Sequence, residues 1–151
     1  MFAALNRHAE DAMRKFSVVT LEHRPITVNE AASVTEACDQ MRDCRAGSVL
    51  VTGKGDQLVG IFTGRDAVCR VLAQRRDPST TRLAEVMTPD PAMMSPDCSA
   101  FDALRIMSDG GFRHVPLVKN GRILGLLSRG DFKGLEQELD ERECDLWEHM
   151  R

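Results

Sequence analysis

The sequence predicts an α+β fold: two β-α-β-β-α repeats about a pseudo-two-fold axis, their sheets packed together, with helices flanking the pair at both ends. Three observations predict it. First, the chain repeats itself. Pro25, Ser33, Ala37, Met41, Asp43 and Val49 recur as Pro91, Ser99, Ala103, Met107, Asp109 and Val115, each 66 positions on. Gly60, Thr63 and Asp66 recur as Gly125, Ser128 and Asp131 at 65. Second, helical and strand periodicities follow the same order in each half. Third, 151 residues suit two small halves that bury their apolar faces together, since about 60 residues alone make a marginal core.

The first element is an amphipathic helix over 1–17, with Phe2, Leu5, Ala9, Met13 and Phe16 on one stripe. Repeat 1 spans 18–76. After Pro25 comes a short extended piece. Ser33 then stands where an N-cap belongs, before Val34, Ala37, Cys38 and Met41 at helical spacing. Two strand-like runs follow, Ser48 to Thr52 and Leu58 to Phe62, joined by the turn Gly53-Lys-Gly-Asp56. A second helix runs from Gly64 to about Arg75. The linker, 77–90, opens on the turn-rich Asp77-Pro-Ser-Thr-Thr81, makes a helical turn at Leu83 to Met87 and returns to an extended path. Repeat 2, 91–135, restates the pattern: cap at Ser99, helical face Ala100, Ala103, Leu104 and Met107, strands His114 to Lys119 and Arg122 to Leu127, and a helix from about Arg129. The one-residue slip in offset falls between the Gly53–Asp56 and Asn120-Gly121 turns, where a hairpin absorbs it. An acidic helix closes the chain over 136–151. From Phe132 on there are seven acids and three bases, with Trp147 near the end.

Composition narrows the function classes. Charged residues are 28% and hydrophobic ones 42%, which is globular rather than disordered. Twenty bases against 23 acids give a net charge of −3, which argues against a general nucleic-acid clamp. No apolar run approaches a membrane span, and the first residues lack a signal-peptide core, so a cytoplasmic protein is expected. Five cysteines, an odd count with no Cys-x-x-Cys, read as reduced thiols. Four scattered histidines show no zinc-ligand spacing, and no metal site is expected. No Gly-x-Ser-x-Gly, Walker loop or Cys–His pair is present, so an enzyme is not expected.

The matched Gly60-x-x-Thr63-x-x-Asp66 and Gly125-x-x-Ser128-x-x-Asp131 have two readings. A hydroxyl followed three residues later by an acid at a helix start is a capping box, structural and sufficient in itself. A carboxylate with two acceptor oxygens also suits a cis-diol. Arg65, Arg113 and Arg129 either solvate the surface or clamp phosphate through their planar forks.

The two segments Val59-Gly-Ile-Phe-Thr-Gly-Arg-Asp66 and Leu124-Gly-Leu-Leu-Ser-Arg-Gly-Asp131, with Val86-Met-Thr-Pro89 and Phe112-Arg-His-Val-Pro-Leu117, resemble a tandem pair of CBS domains, a Bateman module. The resemblance covers about Val18 to Leu135. It implies a stand-alone regulatory module that binds an adenine nucleotide (AMP, ADP or ATP) between the repeats and signals to a separate effector protein by a change in repeat packing. No tightly held cofactor is implied. It implies that Asp66 and Asp131 grip ribose hydroxyls while Thr63 and Ser128 face ribose or phosphate. Arg65, Arg129, Arg113 and His114 become phosphate contacts. Backbone near Ala46 to Val49 and His114 to Pro116 would hold the adenine edge. Ile26, Thr27, Met93 and Met94 would wall it, unless they are sheet core, and Met87 completes the set. The terminal helices either pack on their own module or cross to a second subunit; the resemblance favours the second and implies a homodimer. Alternatives are a sensor of S-adenosylmethionine or NAD, or an oligomerisation module with empty clefts.

Overall fold

The computed structural model describes residues 25–132, and of 131 and 132 the backbone alone. The flanking helices expected over 1–17 and 136–151 lie outside the described residues, as does the side chain of Asp131.

Repeat 1 shows the order expected from the sequence; repeat 2 shows its helix and two strands without a first strand, and its second helix is described only as far as a 3-10 turn. Repeat 1 runs β1 (Thr27–Asn29), α1 (Val34–Asp43), β2 (Ser48–Thr52), a 3-10 turn (Lys54–Asp56), β3 (Leu58–Thr63) and α2 (Gly64–Asp66). α2 continues without a break into a π-helical stretch, Ala67–Leu72, so the second helix stops three residues short of the expected Arg75. The linker supplies α3 (Leu83–Val86) and β4 (Thr88–Pro89). Repeat 2 runs α4 (Ala100–Gly110), β5 (His114–Lys119), β6 (Arg122–Ser128) and a 3-10 turn (Arg129–Phe132).

Ser33 and Ser99 cap α1 and α4 as their positions require. Each hydroxyl accepts the backbone N–H three residues on, and Glu36 or Asp102 reaches back to the cap's own N–H. Each box thereby satisfies two of the four donors that a helix start would otherwise leave orphaned. α4 ends on Gly111 at φ +67°, where a left-handed residue closes the helix.

The sheet of repeat 1 has the order β1-β2-β3-β4, parallel at β1/β2 and antiparallel elsewhere. The linker thus joins the edge of repeat 1 instead of lying free. The pairing Gly60↔Pro89 brings the Met87 thioether so close that a Cβ at Gly60 would sit 2.4 Å from Sδ. A larger residue would have to push the Met87 side chain aside and would crowd the Thr88 carbonyl, 3.0 Å from the same point. The sheet of repeat 2 is the β5-β6 hairpin. Its expected first strand is reduced to one bridge, Met94↔Leu117.

Each repeat has its own core. Val28, Val34, Ala37, Met41, Val49, Val51, Phe62 and Val71 form one, completed by Leu83 and Val86 of the linker. Met94, Ala100, Ala103, Leu104, Met107, Val115, Leu117 and Leu127 form the other. Strand side chains alternate between faces. Leu50 and Ile61 therefore point away from the first core, yet Leu50 is fully buried and Ile61 nearly so. Ile61 lines a cleft between the repeats.

Candidate functional site

That cleft encloses about 440 Å³, within the usual range for small-molecule sites. Three stretches build its walls. Repeat 1 gives Ile61, Thr63, Arg65 and Asp66. The linker gives Thr88, Asp90, Pro91 and Ala92. Repeat 2 gives Gly111, Phe112, Arg113 and His114.

Thr63 ends β3 and caps α2, and this fixes Asp66. The Thr63 hydroxyl accepts the Asp66 N–H at 3.3 Å and donates to Asp66 Oδ2 at 3.0 Å; the Thr63 N–H donates to the same oxygen at 2.9 Å. The capping-box reading is therefore correct in this repeat. The side chain of Asp66 is only 14% exposed, and its Oδ1 lies 3.5 Å from Arg70 Nε. Asp66 is thus a held, largely buried carboxylate at the wall of a cleft, whose second oxygen accepts no hydrogen bond as short as those on Oδ2.

A matched pair of backbone bonds fixes the opposite walls. The Gly64 N–H donates to the Gly47 carbonyl at 3.1 Å, and the Arg129 N–H donates to the Arg113 carbonyl at 2.8 Å. The second bond ties the Arg113 segment to the 3-10 turn that follows β6. Arg65 and Arg113 are exposed, and His114 is half-buried, at the cleft.

Of the residues expected at a nucleotide site, Thr63, Arg65, Asp66, Arg113 and His114 are brought together here. Met87 does not line the cleft; it packs on the first core and against Gly60. Ile26 also packs on that core, and Thr27 is exposed on β1. Met94 is core of repeat 2, and Met93 is exposed. Pro116 is buried on β5, opposite Leu126. Ser128 and Arg129 stand at the end of β6 and the following turn, outside this cleft. Thr88, Asp90, Pro91, Ala92 and Phe112 line it without having been singled out. The repeat offset carried a signal for one of them, because Ala92 is the match of Ile26.

Among the described residues, no group of His, Cys, Asp or Glu is placed to hold a metal, and no helix is long and apolar enough to cross a membrane. Cys38, Cys44, Cys69 and Cys98 are free thiols. Burial, and then the charge of Asp39, push the Cys38 thiol up and disfavour its thiolate.

Comparison with known proteins agrees with this architecture. A CBS-domain protein of Arabidopsis thaliana, CBSCBSPB2, is 38% identical over 104 residues, covering 69% of this chain and 19% of the plant protein. The chain thus spans about a fifth of that relative's length. YlbB of Bacillus subtilis is 32% identical over 111 residues, covering 73% of this chain and 74% of that one. A Burkholderia ambifaria protein with CBS domains, provisionally assigned to signal transduction, superposes with a TM-score of 0.68 at 32% identity, over 72% of this chain and 79% of that one. The CBS-domain family model matches residues 9–72 and again 83–136, and with two repeats, each on its own core, the chain belongs to the CBS-domain family as a tandem pair.

Proposed function

We propose that the cleft between the repeats binds an adenine nucleotide and that the chain is a regulatory module rather than an enzyme. The observation that carries this is Asp66. A carboxylate that served only as a cap has no need of a cleft in front of it. This one is 14% exposed, spends Oδ2 on the cap, and shares the wall with Thr63 and Arg65 while Arg113 and His114 stand in the same cleft. A ribose diol on Asp66 would leave its phosphate within reach of arginine forks. AMP, ADP and ATP meet this description; Asp66 and Asp90 balance the formal charges of Arg65 and Arg113 in the lining. Binding would bias the packing of the two repeats, by the ligand's differential affinity for the two arrangements, and an effector protein would read the change. The family membership supports a regulatory role.

Thermal unfolding with and without millimolar AMP or ATP tests this. A ligand at 100 times its Kd stabilises by about 2.7 kcal/mol, a shift of several degrees. Unchanged melting with AMP, ADP and ATP would contradict it.

A second reading, self-association, is favoured by a different observation. Val68 and Leu72, four residues apart on the second helix of repeat 1, are 55% and 66% exposed, as are Phe101 and Met93 to a similar degree. A homodimer would cover such side chains.

A further inference from the structure

Arg70 lies four residues after Asp66, in the π-helical stretch Ala67–Leu72. Its guanidinium does two things at once. Nε faces Asp66 Oδ1 at 3.5 Å, while Nη1 donates to two linker carbonyls, Val86 O at 3.0 Å and Met87 O at 2.8 Å. Those carbonyls end α3 and lead directly into β4, after which Asp90, Pro91 and Ala92 line the cleft. A wide π turn is often found at functional sites, because it re-aims a side chain off the regular helical position.

A carboxylate offers about four lone-pair positions. Both Thr63 donors already sit on Oδ2. The oxygen left for a ligand is Oδ1, and Arg70 is what faces it. Arginine suits this place because its planar fork serves two directions at once, whereas lysine offers a single point charge.

We propose that Arg70 is a positioning residue for sugar recognition. It aims Asp66 Oδ1 at the ribose and fastens that oxygen to the segment joining the two repeats. The inference rests on the nucleotide reading of the cleft and deepens it. It also names a physical route from the sugar to the linker, through one side chain.

The test compares AMP and ATP with their 2′-deoxy forms, by calorimetric titration of the full chain, its R70A variant and its R70K variant. Losing one charge-assisted hydrogen bond costs about tenfold in affinity or more. The unaltered chain should therefore prefer the ribonucleotide by at least about tenfold. In R70A the preference should fall to about twofold or less, because a misaimed carboxylate no longer reads the 2′-hydroxyl. R70K, which keeps the charge and loses the fork, should fall between the two and carries the test if R70A does not fold. A merely structural role would weaken ribo- and deoxyribonucleotide alike and leave their ratio intact, which would overturn the proposal. Absence of binding to the unaltered chain would overturn the nucleotide reading itself, and this inference with it, so the two failures are distinguishable.

Discussion

The first strands of the two repeats start alike and end differently. Both follow a proline, Pro25 or Pro91, and both meet the middle strand in parallel at matched places, Val28↔Val51 and Met94↔Leu117. In repeat 1 the ladder runs on, from Thr27↔Leu50 to Asn29↔Thr52, and the Glu30 N–H adds a bond to the Thr52 carbonyl. In repeat 2 it stops after one bridge. The match of Glu30 is Pro96, which has no N–H to give. The run Ile26-Thr-Val28, rich in β-branched residues, has become Ala92-Met-Met94, which favours strands less. Duplication has kept the fold while letting pairing weaken in one copy.

The same comparison applies to the ligand groups. Asp66 and Asp131 match in sequence, but Arg65, Arg113 and His114 of the described cleft correspond to Gly130, Gly47 and Ser48. Arg45 and Arg129 stand instead at the matches of Gly111 and Gly64. The backbone frame is shared, down to the paired bonds Gly64 to Gly47 and Arg129 to Arg113; the charges on it are not.

The largest effect should come from matched core truncations. Phe62 and Leu127 occupy equivalent places, both almost fully buried, each in its own core. Phe62→Ala should cost about 3–5 kcal/mol and Leu127→Ala about 2–5, read by denaturant unfolding. The first should exceed the second, because Phe62 sits in the core that the linker residues Leu83 and Val86 also complete. The reverse order would break the view that the linker belongs energetically to repeat 1.

Smaller and more even effects are expected at the caps. Ser33→Ala and Ser99→Ala should each cost about 1 kcal/mol, since both serve the same reciprocal box. A large inequality would show that the two helix starts differ in a way the hydrogen bonds do not. The caps also set a pH dependence. The Ser33 backbone N–H and then its hydroxyl hold Glu36 below the ordinary carboxylate value, and the Ser99 hydroxyl, then its N–H, do the same for Asp102. A folded-state pKa below the unfolded one favours folding when the group is charged. That contribution is complete above the ordinary carboxylate range and is lost as pH falls through the lowered folded values. Melting temperature followed from neutral pH into acid should drop less steeply in an E36Q/D102N double variant than in the unaltered chain. Parallel curves would contradict the assignment.

Much of this fold was legible because the sequence states it twice. A Ser-x-x-acid before a helical stripe and a glycine turn between two short runs each recur at a matched offset and each form the element they suggest, and Gly-x-x-Thr-x-x-Asp at the end of β3 starts α2. Pairing was less legible. That β4 would add to the sheet of repeat 1 depends on the contact of Met87 with Gly60, which lies across strands and leaves no period in the chain. Of the residues that the motifs single out, Thr63, Arg65, Asp66, Arg113 and His114 line the cleft. Met94 leaves two readings open, cleft wall or sheet core, because buried methionine suits both; it lies in the core of repeat 2. Arg70 carried no motif. Its role arises from a π turn and two carbonyls sixteen and seventeen residues away.

The central claim is that Asp66 grips a nucleotide sugar as well as capping its helix, and Asp66→Asn tests it most directly. Asparagine keeps one oxygen for the Thr63 cap and gives up the charge. Calorimetric titration with AMP and ATP should show affinity reduced about tenfold or more, with melting of the ligand-free protein nearly unchanged. Equal affinities in the two proteins would contradict the account and leave Asp66 as a helix cap alone.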